Sequence, residues 1–196
     1  MKTFLTMAMA AVVCLSSTQA SAQTYSFPDN SQGWVYQGLY DSDSMTPLPD
    51  YTSSKNPWTN IDGDRGAIFL GQEGFTVQSP SGASWAHGDL NSPALAYRAG
   101  RVVSVSYDIT GSHMRSDARV QVQAVMVVRV LGENSDRRVT SQRVDVPIGD
   151  DGAWDTNTFA VLVGAGTIVK KISLRIFFHT GEYYEGWIMV DNVVLQ

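Results

Sequence analysis

The stretch that most constrains this chain is residues 186–195, which read GWIMVDNVVL. Both alternating sets of positions are mostly apolar, β-branched or aromatic, so the segment predicts a strand covered on both faces. Asp191 breaks the pattern. A carboxylate inside such a strand is costly unless a cation, an arginine or several backbone N–H groups meet it. A buried strand this late in a chain closes a sandwich by pairing beside the first one, and Tyr25-Ser26-Phe27-Pro28-Asp29 offers that partner.

Period-two alternation continues through the centre. Val103, Val105, Tyr107 and Ile109 alternate with Ser104, Ser106, Asp108 and Thr110, which predicts one buried and one wet face. In the next strand Val120, Val122, Ala124, Met126, Val128 and Val130 look inward. Its other face is polar at the ends, with Arg119, Gln121, Gln123 and Arg129, and apolar between them, with Val125 and Val127. That mixture reads as the floor of a shallow groove. Residues 169–179 put Ile172, Leu174, Ile176 and Phe178 inward and Lys171, Ser173, Arg175, Phe177 and His179 outward.

Further strands are expected at 33–39, with Trp34, Tyr36 and Leu39 inward, and at 138–147 and 154–163. A hairpin is expected from 66–70 and 75–79 around a turn at 71–74, and an edge strand over 90–95, where Pro93 cannot donate to a central ladder. Two polar stretches, 41–64 and 80–89, read as loops; they carry Tyr51, Trp58, Trp85 and His87. No segment after residue 22 holds a helical period, so the fold class is all-β, an antiparallel β-sandwich.

Residues 1–22 read as a secretory signal: Lys2, an apolar run from Met7 to Leu15, and Ala20-Ser21-Ala22 before Gln23. The run is too short to span a membrane, and Cys14 lies within it. Residues 23–196 are then a single domain without cysteine, as suits a secreted or periplasmic bacterial protein. Removing Lys2 from the 14 basic residues leaves 13 against 19 acidic ones, a net charge of −6. Scattered basic residues on an acidic chain exclude a nucleic-acid surface. They favour neutral ligands or cations over anionic polymers, unless a local basic patch overrules the mean.

Residues 27–34, FPDNSQGW, residues 89–95, DLNSPAL, with the strand at 102–109, and residues 187–193, WIMVDNV, together resemble the galactose-binding-like jelly-roll superfamily. Carbohydrate-binding modules of bacterial polysaccharide-degrading enzymes and laminin IV type domains share these landmarks. The resemblance implies a jelly-roll sandwich and carbohydrate binding. It also implies a structural Ca²⁺, held by backbone carbonyls, by Asp191 in the last strand and by Asp29 near the start, with Asp62 or Asp64 completing an oxygen cage. The alternative is that Asp191 bonds backbone groups or an arginine and the other aspartates shape turns.

Sugar rings pack their C–H faces on aromatic planes while their hydroxyls need polar partners at the rim. Trp58, Trp85, Tyr183 and Tyr184 are the stacking candidates, and Gln121, Gln123, Arg129, Arg175 and His179 the hydrogen-bonding ones; Trp34 and Trp187 read as core. The bland alternative makes the loop aromatics a cover over the open end of the sandwich. Two sites stay open: the outer face of the Gln121 and Arg175 strands, and the loops with Trp58 and Trp85.

Catalytic signals are weak. Gly82-Ala83-Ser84-Trp85-Ala86 imitates a nucleophile elbow without the strand-to-helix turn it needs, and His87, His113 and His179 lack zinc-like spacing. The expectation is an exported, non-catalytic carbohydrate-binding protein that recognises a polysaccharide or surface glycan. The alternatives are a small polysaccharide lyase or glycosidase using Glu182, Glu185 or His179, and an envelope structural or adhesion protein that binds other proteins.

Overall fold

The structure, a computed structural model, describes residues 21–48, 59–60, 66–112, 119–149 and 153–196. Among these residues there are fourteen strands and no helix. The first seven are β1 (Gln23–Tyr25), β2 (Val35–Asp41), β3 (Thr59–Asn60), β4 (Gly66–Thr76), β5 (Trp85–Asn91), β6 (Tyr97–Arg98) and β7 (Val102–Ser112). The rest are β8 (Val120–Arg129), β9 (Arg137–Thr140), β10 (Val144–Asp145), β11 (Ile148–Gly149), β12 (Asp155–Leu162), β13 (Ile168–His179) and β14 (Tyr183–Leu195).

They form two sheets. Sheet 1 runs β11-β7-β14-β4-β3, with β1 also on β14 and β12 also on β7. Sheet 2 runs β10-β8-β13-β5-β2, with β6 on β13 and β9 on β8. Pairing is antiparallel except for the two-residue contact of β11 with β7. The last strand occupies the centre of sheet 1, as its composition predicts. β1 pairs with its end, Gln23 opposite Leu195 and Tyr25 opposite Val193.

The inward rows of both sheets interlock into one core that includes Val103, Val105, Ile109, Val122, Met126, Ile172, Leu174, Ile176 and Val190. One end is closed by aromatics. Trp34, fully buried, packs edge-on against Tyr25 at 5.5 Å and Phe27 at 6.0 Å between ring centroids, each contact worth about 0.5–1.5 kcal/mol beyond area burial. To bring Phe27 inward the backbone takes φ +48° there, followed by +48° at Gln32 and +80° at Gly33. A bulky residue in that region is strained, and complete burial of the ring offsets the cost.

Sheet 2 is closed by a fit between two neighbouring strands. Tyr36 on β2 lies under Gly88 on β5, where an added Cβ would stand 2.3 Å from the Tyr36 hydroxyl and 2.5 Å from its ring. Gly88→Ala is therefore expected to destabilise the fold by about 1–3 kcal/mol through overpacking, seen as a lower urea midpoint at unchanged slope; an unaltered midpoint would mean the ring has room to move.

Three expectations are corrected. Residues 71–74 are not a turn: β4 is continuous, and β14 pairs with it through Leu70, Gly71, Gln72 and Phe75, absorbing one irregularity between Tyr184 and Gly186. The expected loop at 80–89 and strand at 90–95 become a strand over Trp85–Asn91, since Ala86, Gly88 and Leu90 supply the inward positions. Trp187 is half-buried rather than core, because Ile188 and Val190 take the inward positions of β14.

Candidate functional site

The outward residues of sheet 2 line up in cross-strand rows. One row reads Asp145, Gln121, Phe177, His87, Tyr40, from β10 across β8, β13 and β5 to β2. The next reads Gln123, Arg175, Asp89, Gln37, and the one after it Thr140, Val125, Ser173, Asn91, Val35. The last is Arg138, Val127, Lys171. Their middle forms a depression of about 160 Å³ that runs from Tyr40 and His87 to Lys171 and Arg138 over Val125 and Val127. This is the groove floor that the mixed outer face of β8 predicts. It is smaller than a pocket for an enclosed ligand.

The polar groups of the floor are pre-oriented. Arg175 grips Asp89 with two hydrogen bonds, Nε to Oδ1 at 2.8 Å and Nη2 to Oδ2 at 3.1 Å, the bidentate form that fixes both side chains. The Ser173 hydroxyl donates to Asn91 Oδ1 at 2.7 Å, and Gln123 Nε2 donates to the Ser141 carbonyl at 2.8 Å. His87 is 2% exposed, with Nδ1 3.1 Å from the Ser42 hydroxyl. Burial, then the Arg175 charge, lowers its pKa to about 4 against the pull of Asp89, so the imidazole is neutral at pH 7.

One end of the face is aromatic. Trp85 and His179 meet edge-on at 5.0 Å, and the Arg143 guanidinium lies 3.6 Å from the Phe177 centroid and 5.7 Å from that of Trp85. A guanidinium over an aromatic face is held by the ring quadrupole, and here it covers a buried Phe177.

The expected binding residues divide accordingly. Gln121, Gln123, Arg175, His179 and Trp85 come together on this face. Trp85 therefore belongs to the strand β5 and to this face, beyond the end of the depression, rather than to a loop. Arg129 lies at the far end of β8, where Nε bonds Asp136 at 2.7 Å. Tyr183 is 41% exposed but begins β14 in sheet 1. Tyr184 is corrected to core: its ring is fully buried, and its hydroxyl lies 2.9 Å from the His179 carbonyl and 3.0 Å from Glu182 Oε2. Trp58, Asp62 and Asp64 lie outside the described residues, as do Tyr51 and His113.

Tyr40, His87, Asp89, Asn91, Phe177 and Arg143 complete the face and were not among the expected site residues. For three of them the signal was available. His87, Asp89 and Asn91 are the outward half of an alternation whose inward half, Ala86, Gly88 and Leu90, is too small and mixed to announce a strand.

Of the residues suggested for catalysis, Glu182 and His179 are engaged, and the Glu185 side chain lies outside what the structure describes. Glu182 accepts the Arg119 backbone N–H at 2.9 Å and takes its guanidinium in an ion pair. Burial raises its pKa, but these bonds and the Tyr184 hydroxyl outweigh that and leave it lowered. It is thus an ionised acceptor at neutral pH, and His179 Nδ1 is held 2.9 Å from Arg119 Nη2.

Asp191 and its cross-strand partner Asp108 fall on the outer face of sheet 1, opposite in direction to the inward pair Val190 and Ile109. Asp191 is 2% exposed and accepts the Asn192 N–H at 2.7 Å; Asp108 accepts from Thr156 and Asn192. Among the described residues no group of three or more His, Cys, Asp or Glu side chains is placed to hold a metal ion. A cation at Asp191 would therefore need backbone carbonyls or carboxylates from elsewhere in the chain.

No family model and no curated protein matches this sequence. Solved structures match it in fold. The CBM22-1–GH10 modules of Clostridium thermocellum endo-1,4-β-D-xylanase 10B, complexed with xylohexaose, align at TM-score 0.51 and 11% identity, covering 90% of this chain and 28% of that one. CBM27-1 of Caldicellulosiruptor saccharolyticus, complexed with mannohexaose, aligns at TM-score 0.50 and 15% identity, covering 90% and 97%. At such identities the likeness is one of fold, and the fold is the jelly-roll sandwich of carbohydrate-binding modules, as the sequence motifs imply.

Proposed function

We propose that the protein is an exported, non-catalytic binder of a polysaccharide or surface glycan, which lies along the outer face of sheet 2. One observation carries this: the outer face of sheet 2 sets the aromatic end at Trp85 in register with rows of amide, carboxylate and guanidinium groups, and those rows line a depression together with Tyr40. Sugar rings need that combination, a flat apolar contact beside fixed hydrogen-bond partners. A shallow groove takes a chain rather than an isolated small molecule. The two aligned modules were solved with hexasaccharides, which supports the same use of this fold. The engagement of Glu182 with Arg119 favours binding over glycosidic cleavage, which needs a protonated carboxylic acid beside the bond. Calcium belongs to the proposal as a structural ion: Asp191 and Asp29, with backbone carbonyls, would hold it and tie the closing strand to the segment after β1.

The test is thermal unfolding of residues 23–196 with soluble glycans, with Ca²⁺ and with EDTA, since a ligand that binds only the folded state raises the midpoint. One glycan class is expected to raise it, and Trp85→Ala to weaken that glycan about 10- to 100-fold, as for an aromatic anchor. A panel in which no glycan shifts the midpoint would sink the proposal, and a Trp85→Ala variant that binds normally would move the site off this face.

A further inference from the structure

Away from Trp85, the groove ends in the row Arg138, Val127, Lys171. Among the described residues neither Arg138 nor Lys171 has an acidic ion-pair partner. Asp89, the acid that lines this depression, is taken by Arg175. Burial lowers the Lys171 pKa and Arg138 adds to that against Asp89, while burial and Arg175 lower that of Arg143. Besides Arg119 and Arg129, which Glu182 and Asp136 pair at the two ends of β8, four cations thus share the face, Arg138, Arg143, Lys171 and Arg175. Their acidic counterparts there are Asp89 and, at the rim, Asp145, which accepts from Gln121 at 2.9 Å. The whole chain has a net charge of −5, so positive charge is concentrated where the groove is.

A neutral glycan laid along this floor would strip water from Lys171 and Arg138 and give them nothing charged in return, which is unfavourable. An anionic group would compensate both. From Lys171 to Phe177 is six residues of β13, about 20 Å of strand. A ligand that reaches both the cationic row and the aromatic end is therefore a chain of several sugar units.

We infer that the ligand is an anionic polysaccharide, bearing carboxylate or sulfate groups, with an acidic group seated between Lys171 and Arg138 and ring faces packed toward Trp85 and Tyr40. This rests on the glycan-binding reading and names its ligand class. It also reverses the preference for neutral ligands drawn from the mean charge: the local patch overrules the mean.

Binding is to be measured by calorimetry against matched pairs: polygalacturonate and its methyl ester, dextran sulfate and dextran, with xylan and mannan as neutral chains and polyglutamate as a polyanion without sugar. The expected result is binding to one acidic glycan, at least about tenfold weaker to its neutral counterpart, and weakening as salt rises to about 0.5 M. Lys171→Gln with Arg138→Gln should lose that binding at an unchanged unfolding midpoint, and Lys171→Arg should keep it. The first pair tells carboxylate from sulfate. Equal, salt-insensitive binding to a neutral chain would overturn the inference and leave glycan binding standing, whereas no binding to any glycan would overturn both. Polyglutamate binding as tight as the acidic glycan would also overturn it, since polyelectrolyte attraction alone would then account for the affinity.

Discussion

Arg175→Met is expected to raise the pKa of His87 by about one unit or more from its value near 4, because the guanidinium is the largest charge opposing protonation of that ring. Imidazole proton shifts followed by NMR against pH read this directly, with no ligand present. The same substitution leaves the Asp89 carboxylate, 19% exposed, without its bidentate partner, at a cost of about 1–3 kcal/mol, and takes the central donor from the groove floor, so glycan binding should be lost.

The pH dependence has a definite sign. The unfolded His87 titrates near 6.5 and the folded one near 4, so between these values the unfolded state binds the proton and stability falls as pH falls. Below about 4 both states are charged and the loss levels off. In Arg175→Met this window narrows from its acid side. A His87 titration that does not move would show that the two groups are not coupled across the floor.

Asp41→Ala is expected to produce the largest loss of stability among the variants described here. The carboxylate of Asp41 is completely buried at the end of β2 and accepts the Ser44 N–H at 2.9 Å, the Asp43 N–H at 3.1 Å and the hydroxyls of Ser44 at 3.0 Å and Ser81 at 2.7 Å, with a further bond from the Ser79 hydroxyl. Ser79 also accepts the Ala83 N–H at 2.7 Å, so one carboxylate fixes the segment that leads into Trp85. Without it, the part-buried hydrogen bonds from Asp43, Ser44, Ser79 and Ser81 lose their common acceptor together. Hydrogen exchange should accelerate first at Ser44 and Ala83, ahead of the sheet interior.

The hydrogen bonds, led by that of the Ser44 backbone, hold the Asp41 pKa far below its ordinary 3.8. Its contribution is thus present above pH 3.8 and is lost only as the medium becomes acid enough to titrate the folded form. Asp41→Asn should remove this acid-side dependence. A variant with native exchange at Ser44 and Ala83 would show that the loop is held by other means.

How far the sequence reads depends on how strongly each segment alternates. β7, β8, β13 and β14 carry large apolar residues on one parity, so their existence, their inward sets and the groove floor of Val125 and Val127 were legible. β5 was not, because Ala86 and Gly88 are small and His87 is buried on the outer side, a pattern that resembles a polar loop. The glycines around residues 71–74 suggest a turn, yet the partner strand β14 decides otherwise by pairing on both sides of them, with one irregularity opposite Tyr184–Gly186. Arg143 was invisible as a site residue for a different reason: it reaches Phe177 from a stretch between two short strands, and no local period encodes such a contact. The cationic patch was not legible because a net charge averages over faces, and the cations of β9 and β13 meet only once those strands flank β8.

The position of β14 between β4 and β7 also bears on how the chain reaches its fold. Those two strands do not pair with each other, and the strand they both require lies C-terminal to both of them. Sheet 1 therefore has no centre until β14 docks, and its assembly must wait on contacts between strands far apart in sequence. Such non-local topologies fold slowly. Until then β4 and β7 each have an unpaired edge, the kind of exposure that favours misassembly during folding.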